Sequence, residues 1–385
     1  MGRFPGPRDR SARNRALGER DRPRAPAPAI LVAAAFVITT ADVAACGGSP
    51  PPPPARPAET GVSGTAFASA PTASSGGTPG LATPSPGRAA RPSPSRALGW
   101  YRFADAPAAL TEVAAATYGG RIWIAGGFDE AGRAVRSVLV FDPATGRWAT
   151  GPGLPQPLQH AVLAASDTTL WVIGGYVGSD FGRPSASVWR LDPTGRAWLK
   201  APPLPSPRAA GAGAWDGQRL VYGGGVGPSG ESADVFALEG AGWVRIGALS
   251  TAREHLGAAS DSAGRGWFLG GRTGGLDTNV AAVDLAAGTN VRRIGRLPTA
   301  RGGGAAFWSP GSGACLAGGE AVTGTIAAVE CVEAGGAVRR LPGLGIPRHG
   351  LGAVVLGDRV YALFGGLVPG IHASNVVEAL TLGAA

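Results

Sequence analysis

Several residue types are scarce in this chain of 385 residues, and each scarcity excludes a class of protein. Lysine and methionine occur once each, and cysteine occurs three times. So few cysteines exclude a small disulfide-rich scaffold, and their spacing forms no paired-cysteine zinc signature. Arginine is abundant but forms no basic cluster with interleaved aromatic residues, so we expect no nucleic-acid partner. The sequence also lacks a Gly-rich phosphate-binding loop and a nucleophile elbow.

The sequence also lacks an apolar run long enough to span a membrane as a helix, and its longest apolar run lies near the N-terminus. Residues 30–40 form an apolar stretch of about 11 residues, which is too short to span a bilayer and is typical of a signal peptide. It leads into Val43-Ala44-Ala45-Cys46, which resembles a bacterial lipobox. The resemblance implies a signal peptide over residues 1–45 and a membrane anchor at lipidated Cys46. The alternatives are a plain secretory signal and an uncleaved anchor.

Residues 46–97 differ in composition from the rest of the chain. They consist mainly of Pro, Ser, Ala, Gly and Thr, with few large apolar side chains. Such a segment cannot bury enough apolar surface to offset the entropy lost on ordering. We therefore predict a disordered tether over residues 46–97 and a folded domain over residues 98–385.

Glycine is the most informative residue of that domain. Gly-Gly doublets close short apolar runs and recur every 47 to 49 residues. They are Gly126-Gly127, Gly174-Gly175, Gly223-Gly224, Gly270-Gly271, Gly318-Gly319 and Gly365-Gly366. A fixed period of this size predicts a repeat architecture with six repeats. Glycine suits a strand end where the backbone needs positive φ and where neighbouring backbone leaves no room for a Cβ.

The residues around each doublet repeat as well. A strand about 26 residues before the doublet carries Trp in four repeats and Val in the last two. These residues are Trp100, Trp148, Trp198, Trp243, Val291 and Val338. A Leu-Pro turn, a strand of small apolar residues, the strand ending in the doublet, a loop and a third strand complete the unit. Short strands between Gly, Pro and Asp turns indicate four antiparallel strands per repeat.

This pattern resembles the kelch repeat, whose marks are the doublet, an aromatic residue before the fourth strand, and a Trp within it. The aromatic position is held here by Phe141, Leu191 and Leu238, so the likeness is looser there. The resemblance implies an all-β, six-bladed kelch-like β-propeller. The sixth repeat stops after its third strand, while residues 100–103 form an orphan strand, so we expect the N-terminal strand to complete the last blade. Open-ended repeats or two subdomains are the alternative.

Cys315 and Cys331 are the two cysteines of the propeller. They lie on the second and third predicted strands of the fifth repeat, which should be antiparallel neighbours. We expect a disulfide between them, in agreement with export of the protein. Two buried free thiols are the alternative.

A candidate site lies just before the predicted inner strands. Because inner strands line the central channel of a propeller, the equivalent residues before them should surround one channel mouth. Three of the four histidines fall within these aligned positions. We predict that the mouth is lined by Glu112, His160, Arg208, Arg253, Glu254, His255, Arg301, Arg348 and His349.

Four interpretations of this cluster are open. The arginines could pair with carboxylates and backbone carbonyls and be structural. They could instead bind an anionic ligand, such as a carboxylate-bearing glycan or an acidic peptide, because Arg recognises carboxylates bidentately. His and Glu could act as general acid and base, as in sugar epimerases or mutarotases built on similar propellers. Glu112, His160 and His255 could hold a metal ion if three blades converged, but we expect no metal.

The favoured function is non-catalytic binding of an envelope protein or glycan by a monomeric, lipid-anchored propeller. A carbohydrate-acting enzyme that uses the Glu/His/Arg cluster is the alternative. Galactose oxidase-like kelch enzymes hold copper with Tyr and His and cross-link a Tyr to a Cys. The tyrosines here fall at packing positions, so we expect no such centre and no cofactor. The loops over residues 128–136 and 176–185, the second carrying Phe181, form another candidate recognition surface.

Overall fold

The computed structural model describes residues 99–383, so the predicted signal peptide, the tether and Cys46 lie outside the described residues. Six four-stranded antiparallel sheets fill this range and are numbered blades 1 to 6 in chain order. Blade 1 contains Ala114–Tyr118, Arg121–Ala125, Val138–Asp142 and Arg147–Thr150. Blade 2 contains Val162–Ala165, Leu170–Ile173, Val188–Leu191 and Trp198–Ala201. Blade 3 contains Ala212–Trp215, Leu220–Gly223, Asp234–Glu239 and Gly242–Ala248. Blade 4 contains Gly257–Ser260, Gly266–Leu269, Ala282–Ala287 and Asn290–Arg296. Blade 5 contains Ala305–Ser309, Gly313–Ala317, Val329–Val332 and Val338–Leu341. Blade 6 contains Gly352–Leu356, Arg359–Leu363, Val377–Thr381 and Tyr101–Arg102.

Three short two-stranded ladders lie outside the blades. They pair Leu158–Gln159 with Tyr176–Val177, Val226–Gly227 with Gly230–Glu231, and Glu320–Ala321 with Gly324–Thr325. Between residues 99 and 383 every regular element is a strand, and this range offers no helix that could cross a membrane.

The first strand of each blade lies at the centre of the molecule. Each of these six strands contacts the first strands of both neighbouring blades, and the contact between blades 6 and 1 closes the ring. Space at the centre is tight, because a Cβ on Gly352 of blade 6 would lie 2.5 Å from the Cβ of Ala115 in blade 1. This crowding explains why the inner strands are built from Ala and Gly. The predicted six-bladed propeller is confirmed.

The last blade joins the two ends of the domain. Tyr101 and Arg102 pair with Ala379 and Glu378, and Phe103 donates its N–H to the carbonyl of Val377 over 3.0 Å. The ring of Phe103 lies 5.7 Å from that of Phe141 in blade 1, so the closing strand also packs against the next blade. The N-terminal strand therefore completes blade 6, as the count of strands in the sequence predicts.

The doublets link each blade to the next. In blade 1 a Cβ on Gly126 would lie 2.4 Å from the carbonyl oxygen of Leu158, and the N–H of Gly127 donates to that oxygen over 2.8 Å. The predicted positions are wrong by one residue in blades 3 and 6, where the pairs with positive φ are Gly224-Gly225 and Phe364-Gly365. Blade 3 has three glycines in a row, and Phe364 takes the first place in blade 6, so the sequence did not reveal either frame.

The repeated tryptophans make a second link between blades. The indole N–H groups of Trp100, Trp198 and Trp243 donate to the carbonyls of Pro342, Pro152 and Pro202, respectively, over 2.8–2.9 Å. Each of these prolines follows the outer strand of the preceding blade. The periodic Trp is thus a contact between neighbouring blades as well as a strand residue.

Blade 5 contains the predicted disulfide. Cys315 and Cys331 lie directly opposite each other on the second and third strands, with Cα atoms 3.9 Å apart, and their sulfur atoms are bonded. Both residues are fully buried. The expected pairing is therefore present in the structure.

Candidate functional site

Six equivalent residues just before the inner strands share a left-handed backbone. They are Glu112, His160, Ala210, His255, Gly303 and Gly350, with φ between 51° and 66°. From blade 2 to blade 6, each donates its N–H to the carbonyl of the equivalent residue in the preceding blade, over 2.8–3.3 Å. The N–H of Val113 donates to Gly350 over 3.3 Å and closes the circle. This ring of backbone hydrogen bonds defines one mouth of the channel.

Three of these six positions carry ionisable side chains at a conformational cost. A left-handed backbone costs a residue other than glycine about 1–2 kcal/mol, and Gly303 and Gly350 show that glycine satisfies the ring. Glu112, His160 and His255 keep the strained conformation nonetheless. Such strain concentrates at functional sites, so these three residues are the first candidates for a role in binding.

The three side chains converge in one small cavity. The Nε2 atom of His160 lies 2.8 Å from the Nε2 atom of His255 and 3.1 Å from Oε2 of Glu112. All three residues line a cavity of about 90 Å³ at the channel mouth. Residues from blades 1, 2 and 4 thus meet at one point, which aligned sequence positions alone could not establish.

Further polar groups extend this cluster into a closed circle. His255 contacts Glu254 through Nδ1, and Arg272 contacts Glu254 at 2.6 Å and Glu320 at 2.8 Å. His349 returns the circle to its start, because its Nδ1 lies 3.6 Å from Glu320 and 3.2 Å from Glu112. We call these seven residues the polar floor: Glu112, His160, Glu254, His255, Arg272, Glu320 and His349.

Burial and the neighbouring charges set the ionisation of the polar floor. Burial lowers the pKa of His160 to about 4, against the opposing effect of Glu112, so its imidazole is neutral at pH 7. Burial alone would raise the pKa of Glu112, but His160 and His349 hold that pKa below its usual value. Burial would lower the pKa of His349, and Glu112 raises it above the usual value. Three carboxylates therefore face the guanidinium of Arg272 and the imidazole of His349, whose pKa is raised, so the carboxylates outnumber the basic groups and the polar floor favours a cation.

The arginines do not line the mouth, which corrects the sequence prediction. Arg253, Arg301 and Arg348 have no exposed side-chain surface. Their guanidinium groups lie 2.8, 2.6 and 2.5 Å from Asp284, Glu330 and Glu378, respectively, on the third strand of the same blade. Arg208 is also largely buried, 3.9 Å from Asp234 and 3.2 Å from Ser232. Each guanidinium points into its own blade, because the carboxylate there offsets the cost of burying the charge.

The remaining predicted residues lie close together in the structure, and two more join them. The structure brings Glu112, His160, Glu254, His255 and His349 into the polar floor. The sequence analysis did not select Arg272 or Glu320, which also belong to it. Both follow directly after a doublet. Each forms an antiparallel β-bridge with the residue just before a left-handed position: Arg272 with Glu254, and Glu320 with Gly302. Aligning the residue after each doublet would have identified them.

Exposed apolar side chains surround the polar floor. Phe181, Val322, Leu367, Val368 and Ile371 lie in loops between the second and third strands of blades 2, 5 and 6, with 45–67% of their surface exposed. We call these five residues the apolar rim. The rings of Phe181 and His160 lie 5.6 Å apart, and the carbonyl of Val368 lies 3.0 Å from Nε2 of His349. Thr325 donates to the carbonyl of Leu367 over 3.0 Å, so the loops of blades 5 and 6 are adjacent.

Known proteins resemble this chain in repeat and in fold. A family model described as Kelch motif matches residues 109–155 and 157–205. Beta-scruin of Limulus polyphemus is 28% identical over 130 residues, which are 32% of this chain and 14% of the relative. Kelch-like protein 34 of Homo sapiens is 31% identical over 152 residues, which are 36% of this chain and 23% of the relative. The chain thus spans less than a quarter of the length of these relatives.

A solved structure, that of YjhT, has a TM-score of 0.60 with this chain at 15% identity. The match covers 72% of this chain and 97% of the other, and at this identity it shows the fold alone. The six blades, the doublets that join them and the matching motifs lead to one conclusion: the chain is a six-bladed β-propeller that carries kelch motifs over residues 109–155 and 157–205.

Proposed function

We propose that this chain is an extracytoplasmic, lipid-anchored binding module that holds a protein partner on the face formed by the apolar rim and the polar floor. The observation that carries the proposal is the clustering of exposed apolar side chains around one channel mouth. Of the eight large apolar residues exposed between residues 99 and 383, five belong to the apolar rim. The other three, Leu199, Val244 and Val338, lie on outer strands of different blades.

The composition of this face favours a protein over an acidic glycan. Exposed apolar patches rimmed by polar groups are typical of protein interaction sites. Phe181 supplies the aromatic side chain that protein interfaces favour. An acidic ligand is disfavoured, because the arginines that would bind it are buried and the polar floor has three carboxylates against one guanidinium. The same burial removes the arginines from the alternative hypothesis of a carbohydrate-acting enzyme.

A matched pair of variants tests the binding face. The rim variant carries Phe181→Ser, Leu367→Ser and Ile371→Ser, and the control carries Leu199→Ser, Val244→Ser and Val338→Ser, which remove the same number of exposed apolar side chains. Exposed substitutions of this kind change stability by about 0.5 kcal/mol or less each, so both proteins should fold. Each full-length protein would be crosslinked in the native cell envelope and its partner identified by mass spectrometry. A partner held by the control and lost by the rim variant supports the proposal, and equal capture by both contradicts it.

The location is supported by the lipobox-like sequence and by the disulfide. Disulfides persist in oxidising compartments, so the Cys315–Cys331 bond agrees with export. Labelling cells with a palmitate analogue should mark the wild-type protein and leave the Cys46→Ser variant unlabelled. The variant should also move from the membrane fraction to the soluble fraction. An unlabelled wild-type protein would contradict the lipid anchor without affecting the proposal about the binding face.

A further inference from the structure

We propose that Glu112, His160 and His255 bind one divalent transition-metal ion at the channel mouth, with Zn²⁺ as the best-matched cation. This inference revises the expectation from the sequence that the protein holds no metal. It also goes beyond the proposed binding of a protein partner, because the apolar rim, which carries that proposal, supplies none of the three ligands.

The separation of the three ligand atoms suits a small tetrahedral ion. Ligand atoms about 2.0–2.1 Å from Zn²⁺ in tetrahedral geometry lie about 3.3 Å from one another. Here Nε2 of His160 lies 2.8 Å from Nε2 of His255 and 3.1 Å from Oε2 of Glu112, and one ligand atom from each residue lies within 4.8 Å of the others. Shifts of a few tenths of an ångström in the first two distances would reach the expected value. Two imidazoles and one carboxylate form a known type of open zinc site.

The hydrogen bonds around the two imidazoles select the metal-binding tautomer. Nδ1 of His160 contacts Oε1 of Gln159, and Nδ1 of His255 contacts Oε2 of Glu254. Because both partners are acceptors, each Nδ1 carries the proton and donates it. The lone pair of each Nε2 then points into the cavity, toward the other imidazole and the Glu112 carboxylate. A metal-bound histidine commonly has its second nitrogen held by a carboxylate or carbonyl oxygen in this way.

Two converging lone pairs beside a carboxylate repel one another, and a cation at their centre would relieve that repulsion. The carboxylate is oriented as well, because Oε1 of Glu112 lies 3.2 Å from Nδ1 of His349 while Oε2 faces His160. Nη2 of Arg272 lies 3.0 Å from Nε2 of His255 and donates to that lone pair. When a metal ion binds, Arg272 would release this contact and keep Glu254 and Glu320, at 2.6 and 2.8 Å.

The site has room for a fourth ligand. The other residues that line the cavity of about 90 Å³ are glycines, alanines, leucines and a valine, such as Ala210, Gly303 and Gly350, and none of them presents a side-chain ligand. A water molecule or a donor atom from a bound partner can therefore complete the coordination. Zinc sites with three protein ligands keep such an open position, whereas purely structural sites use four.

Zinc titration of the full chain tests the proposal. The protein would carry Cys46→Ser, so that the cysteine outside the disulfide cannot bind metal, and would have no histidine tag. After treatment with a chelator, calorimetric titration should show one Zn²⁺ per chain with a dissociation constant below about 10 µM. His160→Ala and His255→Ala should each weaken binding about tenfold or more. Ala210 occupies an equivalent left-handed position, which indicates that alanine fits there.

His372 provides the matched control, because it is an exposed histidine in a loop of the same face. His372→Ala should bind zinc as tightly as the parent chain. Equal binding by His160→Ala, His255→Ala and the parent would overturn the proposal, as would the lack of stoichiometric binding. A crystal soaked in Zn²⁺ should show its anomalous peak between the three side chains, and a peak elsewhere would also overturn it. The rim variant should still bind zinc, because the apolar rim supplies no ligand. Failure of the metal proposal can therefore be told apart from failure of the proposed partner binding.

Discussion

Arg253, Arg301 and Arg348 place three guanidinium groups in the interior of three blades. Each is paired with a buried carboxylate and also donates to carbonyls of its own blade, as Arg301 does to Leu316 over 2.8 Å. The backbone carbonyl of each of these arginines meanwhile accepts the N–H of the second doublet residue in the preceding blade. One residue thus joins two blades, with its side chain in one and its carbonyl bound by the other. The arginine pattern in the sequence therefore has a structural origin.

Removing one of these buried guanidinium groups should be costly. We expect Arg301→Met to lower the free energy of unfolding by about 3–5 kcal/mol, because the buried, charged Glu330 keeps only the exposed Arg340, at 3.6 Å, as an ionic partner. The double variant Arg301→Met/Glu330→Gln should lose less, since no uncompensated charge remains and Gln can still accept from Thr299. Urea unfolding at pH 7 measures both, with the exposed Arg292→Ala as the control. A double variant less stable than the single variant would contradict this account.

The pH dependence of the same pair follows from Glu330. Burial would raise the pKa of Glu330, but the hydrogen bond and charge of Arg301 lower it below the usual value of 4.5. The stabilisation is therefore complete above pH 4.5 and is lost as the pH falls through the lowered pKa. The loss in free energy of unfolding caused by Arg301→Met should become smaller in acid, because Glu330 is then protonated in the variant. Unfolding midpoints measured between pH 7 and pH 3 should show this convergence, and a constant deficit would exclude it.

At the scale of the strands and turns, the doublet combines two separate demands. Its residues need positive φ, and neighbouring backbone occupies the space of a Cβ. In blade 4, a Cβ on Gly271 would lie 2.7 Å from the carbonyl oxygen of Glu254, and φ at Gly271 is 107°. Gly274, three residues later in the same loop, has φ of 93° and nothing within 4 Å of a Cβ. The two glycines therefore separate backbone strain from close approach.

The comparison of these two glycines is a direct test. Gly274→Ala should cost about 1–2 kcal/mol through strain alone. Gly271→Ala should cost more, about 3 kcal/mol or above, because its Cβ would also collide with the Glu254 carbonyl at the entry to the same blade. Thermal unfolding of both variants measures the difference. Equal losses would show that the doublet is used for φ alone.

The disulfide acts within a single blade. Cys315 and Cys331 are separated by 16 positions, and closing a loop of this length stabilises a protein by about 3 kcal/mol in the chain-entropy treatment. We expect the Cys315→Ala/Cys331→Ala variant to lose about that much. Before lipidation, unreduced denatured wild-type protein should show one reactive thiol, that of Cys46. Three reactive thiols would show that the bond does not form.

At the scale of the whole molecule, closure of the ring decides the architecture. The closing strand of blade 6 comes from the opposite end of the domain from its three partners. Without it, the strand Val377–Thr381 would present an unpaired edge, and exposed edges promote aggregation. The closing strand also brings Phe103 between blades 6 and 1, with its ring 5.8 Å from Tyr361 and 5.7 Å from Phe141.

Deleting residues 99–103 from the full chain should therefore destabilise the whole propeller. We expect a loss of about 3 kcal/mol or more, comparable to removing a packed Phe from a core, together with aggregation on heating. Deleting residues 71–75 from the predicted tether is the control and should leave stability unchanged. Calorimetry and light scattering would compare the two deletions. An unchanged melting temperature in the first would mean that the ring does not depend on its closing strand.

The sequence alone determined the architecture, because its signals are local and repeated. The spacing of the doublets counts six blades, and the orphan strand at one end with the missing strand at the other predicts closure. The pairing of Cys315 with Cys331 followed from neighbouring strands in one repeat. The exceptions, at Gly224-Gly225 and Phe364-Gly365, arose where a third glycine or a phenylalanine hid the frame.

The chemistry of the channel mouth depends on contacts between blades that form in the folded ring. Equivalent positions predicted which backbones surround the channel, but the direction of a side chain depends on partners far away in sequence. Arg301 turns into its blade because Glu330, 29 residues later, lies within reach. His160 meets His255 across 95 residues because the ring brings blades 2 and 4 to a common centre. A period in the sequence fixes positions around an axis, whereas the contacts across that axis exist only when all six blades are assembled.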